Sequence, residues 1–192
     1  MELAANPIFP VLVKITEILQ QSGRLSTSDR MGETRTDEKL FLKMLQDTQA
    51  LIWRVTRMYC KIEDDQRDLF QEIVSRLWTG FPSYRGEASQ SSWVYTVCLH
   101  TAFRSVRKKR IQWSALDDLP EALQPVTRPD ADDKTNLVAI LEGLPDVDKA
   151  IIFLKTESYN NREIATIIGI RPNTVDQRLH RLRTKLNKQL SL

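Results

Sequence analysis

Apolar side chains recur at helical spacing along most of this 192-residue chain, and no strand-like alternation of useful length interrupts them. Phe41, Leu45, Thr48, Ile52, Val55 and Tyr59 step by fours and threes, which predicts a helix over about 37–59. A polar turn at 61–65 follows. Leu69, Ile73 and Leu77, with Phe70, Val74 and Trp78, predict a second helix with an acidic start at Glu63, Asp64, Asp65 and Asp68. Acids there match the positive end of the helix dipole. Gly80, Pro82 and Gly86 mark an irregular segment over 81–92. Trp93 opens a third helix, with Tyr95, Leu99, Ala102 and Val106 on one face and the cations Arg104, Arg107, Lys108, Lys109 and Arg110 at its end. The stretch 111–134 holds Pro120, Pro125 and Pro129 and reads as a linker. Leu137, Ile140, Leu141 and Leu144 predict a short helix ending before Pro145, and Val147, Ile151 and Leu154 the next.

The most specific local pattern lies at 160–190. Asn160 followed by Glu163 is an N-cap with its capping-box partner. Ile164, Ile167 and Ile168 give a short helix its apolar face, and Gly169 supplies the left-handed residue that ends it. Pro172 suits the first position of a new helix. Val175, Leu179, Leu182, Leu186 and Leu190 then share a face, while Arg178, His180, Arg181, Arg183, Lys185 and Lys188 share the other. A short helix, a Gly-centred turn and a basic second helix make a helix-turn-helix, whose second helix would place 173–181 in a major groove. The bland alternative is a helix pair with a solvated basic face.

Charge sharpens the division. The net charge of +3 splits into +4 over 37–110, −4 over 111–134 and +3 over 135–192, counted from the sequence. Two basic blocks around an acidic linker fit two nucleic-acid-binding domains joined by a non-binding connector. Tyr84 and the loop serines are expected to be exposed, with Phe81, Trp93, Tyr95 and Phe103 nearby; rings beside cations suit unstacked bases, although the same rings suit a core. Cys60 and Cys98 lack metal-ligand spacing and read as reduced core thiols of a cytoplasmic protein. No stretch reaches the length of a membrane span, and the apolar start lacks the features of a signal peptide. The expected fold is all-α: residues 1–36 a partly disordered extension with one helix at 9–20, then helical domains at 37–110 and 135–192 joined by the flexible acidic linker.

Three blocks carry a family resemblance: DLFQEIVSRLW, FPSYRGEASQSSWVYTVCLHTAFRSVRKKR, and LEGLPDVDKAIIFLKTESYNNREIATIIGIRPNTVDQRLHRLRTKL. In this order, over about 37–190, the chain resembles a bacterial RNA polymerase sigma factor of the extracytoplasmic function (ECF) type. The resemblance implies a transcription initiation factor without catalysis, cofactor or metal. Its implied partners are core RNA polymerase, through the β′ and β subunits, promoter DNA, and the anti-sigma factor that usually holds such proteins. Asp68, Gln71, Glu72 and Arg76 would dock on the clamp coiled coil of β′. Tyr84, Arg85, Ser91, Ser92 and Trp93 would capture a flipped base of the −10 element, and Arg104, Arg107 and Lys108 would grip DNA beside it. Arg171, Asn173, Thr174, Gln177, Arg178 and Arg181 would read the −35 element. The linker would thread through polymerase channels that RNA later occupies.

Some positions depart from the family pattern. Asp176 and Gln177 replace a basic and a small residue, and Arg171 replaces a Ser or Thr cap. Asp176 would repel phosphate, so it either faces a base edge such as a cytosine amino group or caps locally. Two other readings stay open. A conventional helix-turn-helix regulator would act without polymerase. A DNA-processing enzyme would need Asp64, Asp65 and Asp68 as metal ligands.

Overall fold

A computed structural model describes residues 31–114 and 143–190; the expected helix at 9–20, most of the one at 137–144 and most of the acidic linker lie outside the described residues. Every regular element among those residues is helical: α1 Met31–Tyr59, α2 Glu63–Gly80, a 3-10 turn Phe81–Ser83, α3 Gln90–Ser114, α4 Asp146–Thr156, α5 Asn161–Ile168 and α6 Pro172–Leu190. The chain divides into two compact units, 1–97 and 98–192, with the division inside α3.

In the first unit α1 and α2 pack their apolar stripes together. Phe41, Leu45, Ile52 and Val55 of α1 are buried, as are Leu69, Phe70, Ile73, Val74 and Leu77 of α2. Each such side chain contributes about 1.5–3 kcal/mol relative to exposure. Aromatic edges lock the pair: Phe41 meets Trp78 and Phe81 edge-on at 5.0 and 5.5 Å between centroids, and Trp53 stacks on Phe70 at 4.5 Å. The turn between the helices is closed by polar contacts. Gln66 Nε2 donates to the Cys60 carbonyl at 2.9 Å, satisfying an end that α1 leaves open. Ile62 offers α2 no side-chain cap. The acids Glu63, Asp64 and Asp65 in its first turn offset the dipole, as the sequence predicts.

Three boundaries differ from expectation. Helix α1 starts at Met31, so the last six residues of the expected extension are helical. Helix α3 starts at Gln90 and not at Trp93, because the Ser89 side chain caps it: the Ser92 N–H donates to Ser89 Oγ at 3.2 Å. Its far end runs to Ser114, four residues into the stretch read as linker.

The second unit holds the end of α3 and the three-helix cluster α4–α6. Ala150, Ile151 and Leu154 of α4 are buried, as are Ile164, Ala165, Ile167 and Ile168 of α5 and Val175 and Leu182 of α6. Pro145 precedes α4, whose first turn carries Asp146 and Asp148. Its C-terminal turn closes with Ser158 in the left-handed region at φ 67°. Burial pushes the Cys98 thiol far above its ordinary value, since the thiolate would lose its water. Cys60 and Cys98 are both free and buried.

Candidate polymerase and nucleic-acid interfaces

The geometry of α5 and α6 follows from their caps. The Arg162 and Glu163 N–H groups donate to Asn160 Oδ1 at 2.9 and 3.0 Å, and the Asn160 N–H donates to Glu163 Oε2 at 2.8 Å. This is the capping box expected from the sequence. Gly169 adopts φ 80°, a conformation that costs an L side chain about 1–2 kcal/mol. The Thr174 and Val175 N–H groups bond to the Arg171 carbonyl, so α6 begins at Pro172 as expected.

Val175 and Leu182 anchor α6 from below, with Leu179 and Leu186 half-buried beside them. Asn173, Asp176, Gln177, His180 and Arg181 face outward, spaced so that they form one stripe along the first turns. Arg171 is exposed at the helix entrance and Thr174 is half-buried. Arg178, expected among the DNA contacts, is otherwise engaged. Its Nη1 donates to Asp148 Oδ1 of α4 at 2.7 Å, and the two side chains are 33% and 14% exposed. Asp176, although exposed, also has a partner within the protein: Asn161 Nδ2, from the first residue of α5, donates to its Oδ1.

In the first unit the 84–93 segment is held by local contacts. Tyr84 is half-buried, with its ring 4.9 Å from that of Trp93 and tilted 30° to it. Its hydroxyl donates to the Ala88 carbonyl at 2.9 Å. Tyr84 is therefore not the freely exposed ring the sequence suggested. Tyr95 is fully in the core, with Arg54 Nη2 3.4 Å from its hydroxyl. The Trp93 ring packs over Gly80, where an added Cβ would lie 3.4 Å from it, in ordinary van der Waals contact. Ser91 and Ser92 sit on the first turn of α3 and not in a loop. Ser83, Ser89 and Ser91 are exposed, as is the tip, Arg85 to Ala88. Next to it lies a groove of about 560 Å³ lined by Leu40, Met44, Phe81, Pro82 and Tyr84, with Asp37, Lys43 and Asp47 at its edge. Arg104, Arg107 and Lys108 are exposed along α3.

The outer side of α2 presents Asp68 exposed, with Gln71, Glu72 and Arg76 half-buried. These lie opposite the five buried side chains. Arg76 donates to Glu72 Oε1 through Nε at 3.1 Å and Nη2 at 2.8 Å. Asp64 reaches Arg67 at 3.6 Å. Among the described residues no group of three His, Cys, Asp or Glu is placed to hold a metal ion.

Residues 44–111 match the Sigma-70 region 2 family and residues 134–186 match Sigma-70, region 4, together more than half of the chain. The chain is 28% identical over 162 residues to the RNA polymerase sigma factor SigV of Bacillus subtilis, covering 84% of this chain and 97% of that one. It is 25% identical over 171 residues to the ECF RNA polymerase sigma factor SigG of Mycobacterium tuberculosis, covering 84% of this chain but 42% of that one. The chain belongs to the ECF group of sigma-70 RNA polymerase sigma factors. As such it directs transcription initiation by RNA polymerase. A solved structure of the sigma factor RpoE with the anti-sigma factor NepR from Bartonella quintana shares its fold, with a TM-score of 0.63 at 20% identity over 80% of this chain and 98% of that one. No helix among the described residues of this sigma factor is long and apolar enough to cross a membrane.

Sequence reasoning missed two residues that hold side chains of α6 in this sigma factor. Neither Asp148 nor Asn161 stands out in the sequence. Their partners, Arg178 and Asp176, lie 30 and 15 residues away on another helix. No local pattern encodes such pairs. The one signal was the oddity of Asp176 itself, an acid on a helix expected to meet DNA.

Proposed function

We propose that this sigma factor works through three surfaces and takes no catalytic part. The outer side of α2, with Asp68, Gln71, Glu72 and Arg76, docks on the β′ clamp of core polymerase. The exposed tip at 85–88, the Tyr84–Trp93 pair and the adjoining groove receive an unstacked base of the −10 element, with Arg104, Arg107 and Lys108 on nearby phosphates and Ser91 and Ser92 at the helix start. The stripe on α6, with Arg171, Asn173, Thr174, Gln177 and Arg181, enters the −35 duplex. Arg178 supports that helix from behind. Residues 111–134 connect the two DNA sites along the polymerase channels.

The observation that carries this reading is the outward stripe on α6, presented by a helix whose entrance is fixed by a capping box, a left-handed glycine and Pro172. An α-helix held at both its start and its underside is what a major groove accepts. The protein acts in the cytoplasm, where polymerase and promoters are. An anti-sigma factor is a further proposed partner, because RpoE was solved in complex with one. The test is co-purification with core polymerase followed by transcription from promoter libraries. Promoter-selective initiation that needs this chain is the expected result. Sequence-specific binding to duplex DNA with no affinity for core polymerase would overturn it in favour of a conventional regulator.

A further inference from the structure

Asp176 is the fifth residue of α6 and is exposed on the stripe it shares with Asn173, Gln177 and His180. A carboxylate so placed would be repelled by phosphate. It nevertheless does not turn away. Asn161 Nδ2 donates to its Oδ1, and among the described residues Asp176 takes no other hydrogen bond or ion pair. The arrangement is asymmetric on the Asn161 side as well. Asn161 Oδ1 is buried and has no hydrogen-bond partner among the described residues. Leaving a buried acceptor unmatched destabilises a fold, so this amide is not explained by stability alone. It makes sense as a brace that fixes the carboxylate.

We propose that Asp176 is a specificity-determining residue that accepts a hydrogen bond from the N4 amino group of one cytosine in the upstream promoter element, with Asn161 positioning its carboxylate. The inference rests on the reading of α6 as the helix that enters the −35 duplex. An ionised carboxylate only accepts hydrogen bonds. In the major groove guanine shows two acceptors, thymine an acceptor and a methyl group, and adenine an acceptor beside its amino group. Cytosine alone shows a donor without an adjacent acceptor on the same base. Asn161 takes one lone pair of Oδ1 and fixes the carboxylate, which leaves Oδ2 as its freest acceptor for the DNA. An acceptor-only group matches the cytosine amino group and would meet repulsion from the N7 of adenine. The bare acid therefore both selects cytosine and rejects the other three bases.

The test uses holoenzyme assembled from core polymerase and the full-length chain. It selects promoters from a duplex library randomised across the upstream element, with a constant −10 element. Wild type should enrich cytosine on one strand at one position, by on the order of tenfold over the other bases. Asp176→Asn keeps the shape but adds a donor, which suits adenine through N6 and N7. It should change the preference at that position alone from cytosine to adenine. Asn161→Ala keeps the carboxylate but frees it, and should weaken the cytosine preference severalfold at that position without replacing it. Thermal unfolding of both variants identifies any loss of folded protein. If Asp176→Asn selects the same sequence as wild type and only its melting temperature moves, the carboxylate is an internal brace and the inference falls. If wild type itself enriches no base anywhere upstream, the reading of α6 falls first and this inference with it.

Discussion

Arg178 and Asp148 form an ion pair at 2.7 Å that ties α6 to α4. The pair is mostly withdrawn from water, and removing one partner leaves the other partly buried and unmatched. Arg178→Ala should destabilise the chain by about 1–2 kcal/mol, between the values for exposed and buried pairs. Asp148→Ala should cost a similar amount, and the double variant less than the sum. Arg181, exposed on the outward stripe, should behave differently. Arg181→Ala should leave stability alone and flatten the salt dependence of promoter binding by about one unit of slope. Urea unfolding and binding across a salt series separate the two. An unchanged unfolding curve for Arg178→Ala, with a flatter salt slope, would put Arg178 on phosphate after all.

Much of this architecture is written in apolar periodicity. The predicted stripes of α1 and α2 are the buried ones, because burial is what enforces the 3.6-residue period. The turn between α5 and α6 was legible for a different reason. A capping box and a left-handed glycine are chemical requirements of a helix end, met by particular residue types at fixed offsets. Polar helix ends without such signals were misplaced. Met31 to Thr36 carries no apolar stripe, and Ser89 is one serine among several in its loop. The candidate site was legible as a list of residues but not as a set of contacts. Arg178 and Asp176 look like free surface groups in a basic helix, and only the crossing of α6 over its neighbours brings Asp148 and Asn161 to them.

Ser158 offers a test of local strain away from every proposed interface. It holds φ 67° just beyond α4, where the Tyr159 N–H bonds back to the Leu154 carbonyl at 3.1 Å. That closure favours glycine, which lacks the Cβ that makes the left-handed region unfavourable. Ser158→Gly should raise stability by about 0.5–1 kcal/mol, seen as a small rise in melting temperature. A fall in stability would mean that the Ser158 hydroxyl supports the turn in a way its geometry does not reveal.

The outer side of α2 should separate binding from folding. The Glu72–Arg76 pair spans one helical turn in partly exposed surroundings, and such pairs contribute only about 0.3–0.5 kcal/mol. Gln71→Ala with Glu72→Ala should therefore unfold within a degree or two of wild type. Its affinity for core polymerase should drop severalfold in a competition assay against the wild-type chain. Equal affinities would move the docking site off this face of α2.

The tip at 85–88 should matter for opening DNA and not for finding it. Tyr84 and Trp93 pack on each other, so truncating either ring would disturb folding along with any contact to a base. Replacing only Arg85, Gly86, Glu87 and Ala88 with a Gly/Ser stretch avoids this. The Ser89 cap of α3 and both rings stay in place, and the Ala88 carbonyl that receives the Tyr84 hydroxyl is backbone. A base leaves the duplex stack at a cost of a few kcal/mol. Contacts in the receiving site must return part of it, and a stacked ring returns about 1–3 kcal/mol. Loss of the tip should leave the rings but remove the polar contacts that hold the base against them. Polymerase binding and upstream duplex binding should survive, since the surfaces of α2 and α6 proposed for them are untouched. Permanganate reactivity of duplex promoters should fall severalfold, and a template already melted across the −10 element should recover most of it. If the swapped protein opens duplex promoters as wild type does, the tip is a connector, and base capture must lie in the groove between Leu40, Phe81 and Tyr84.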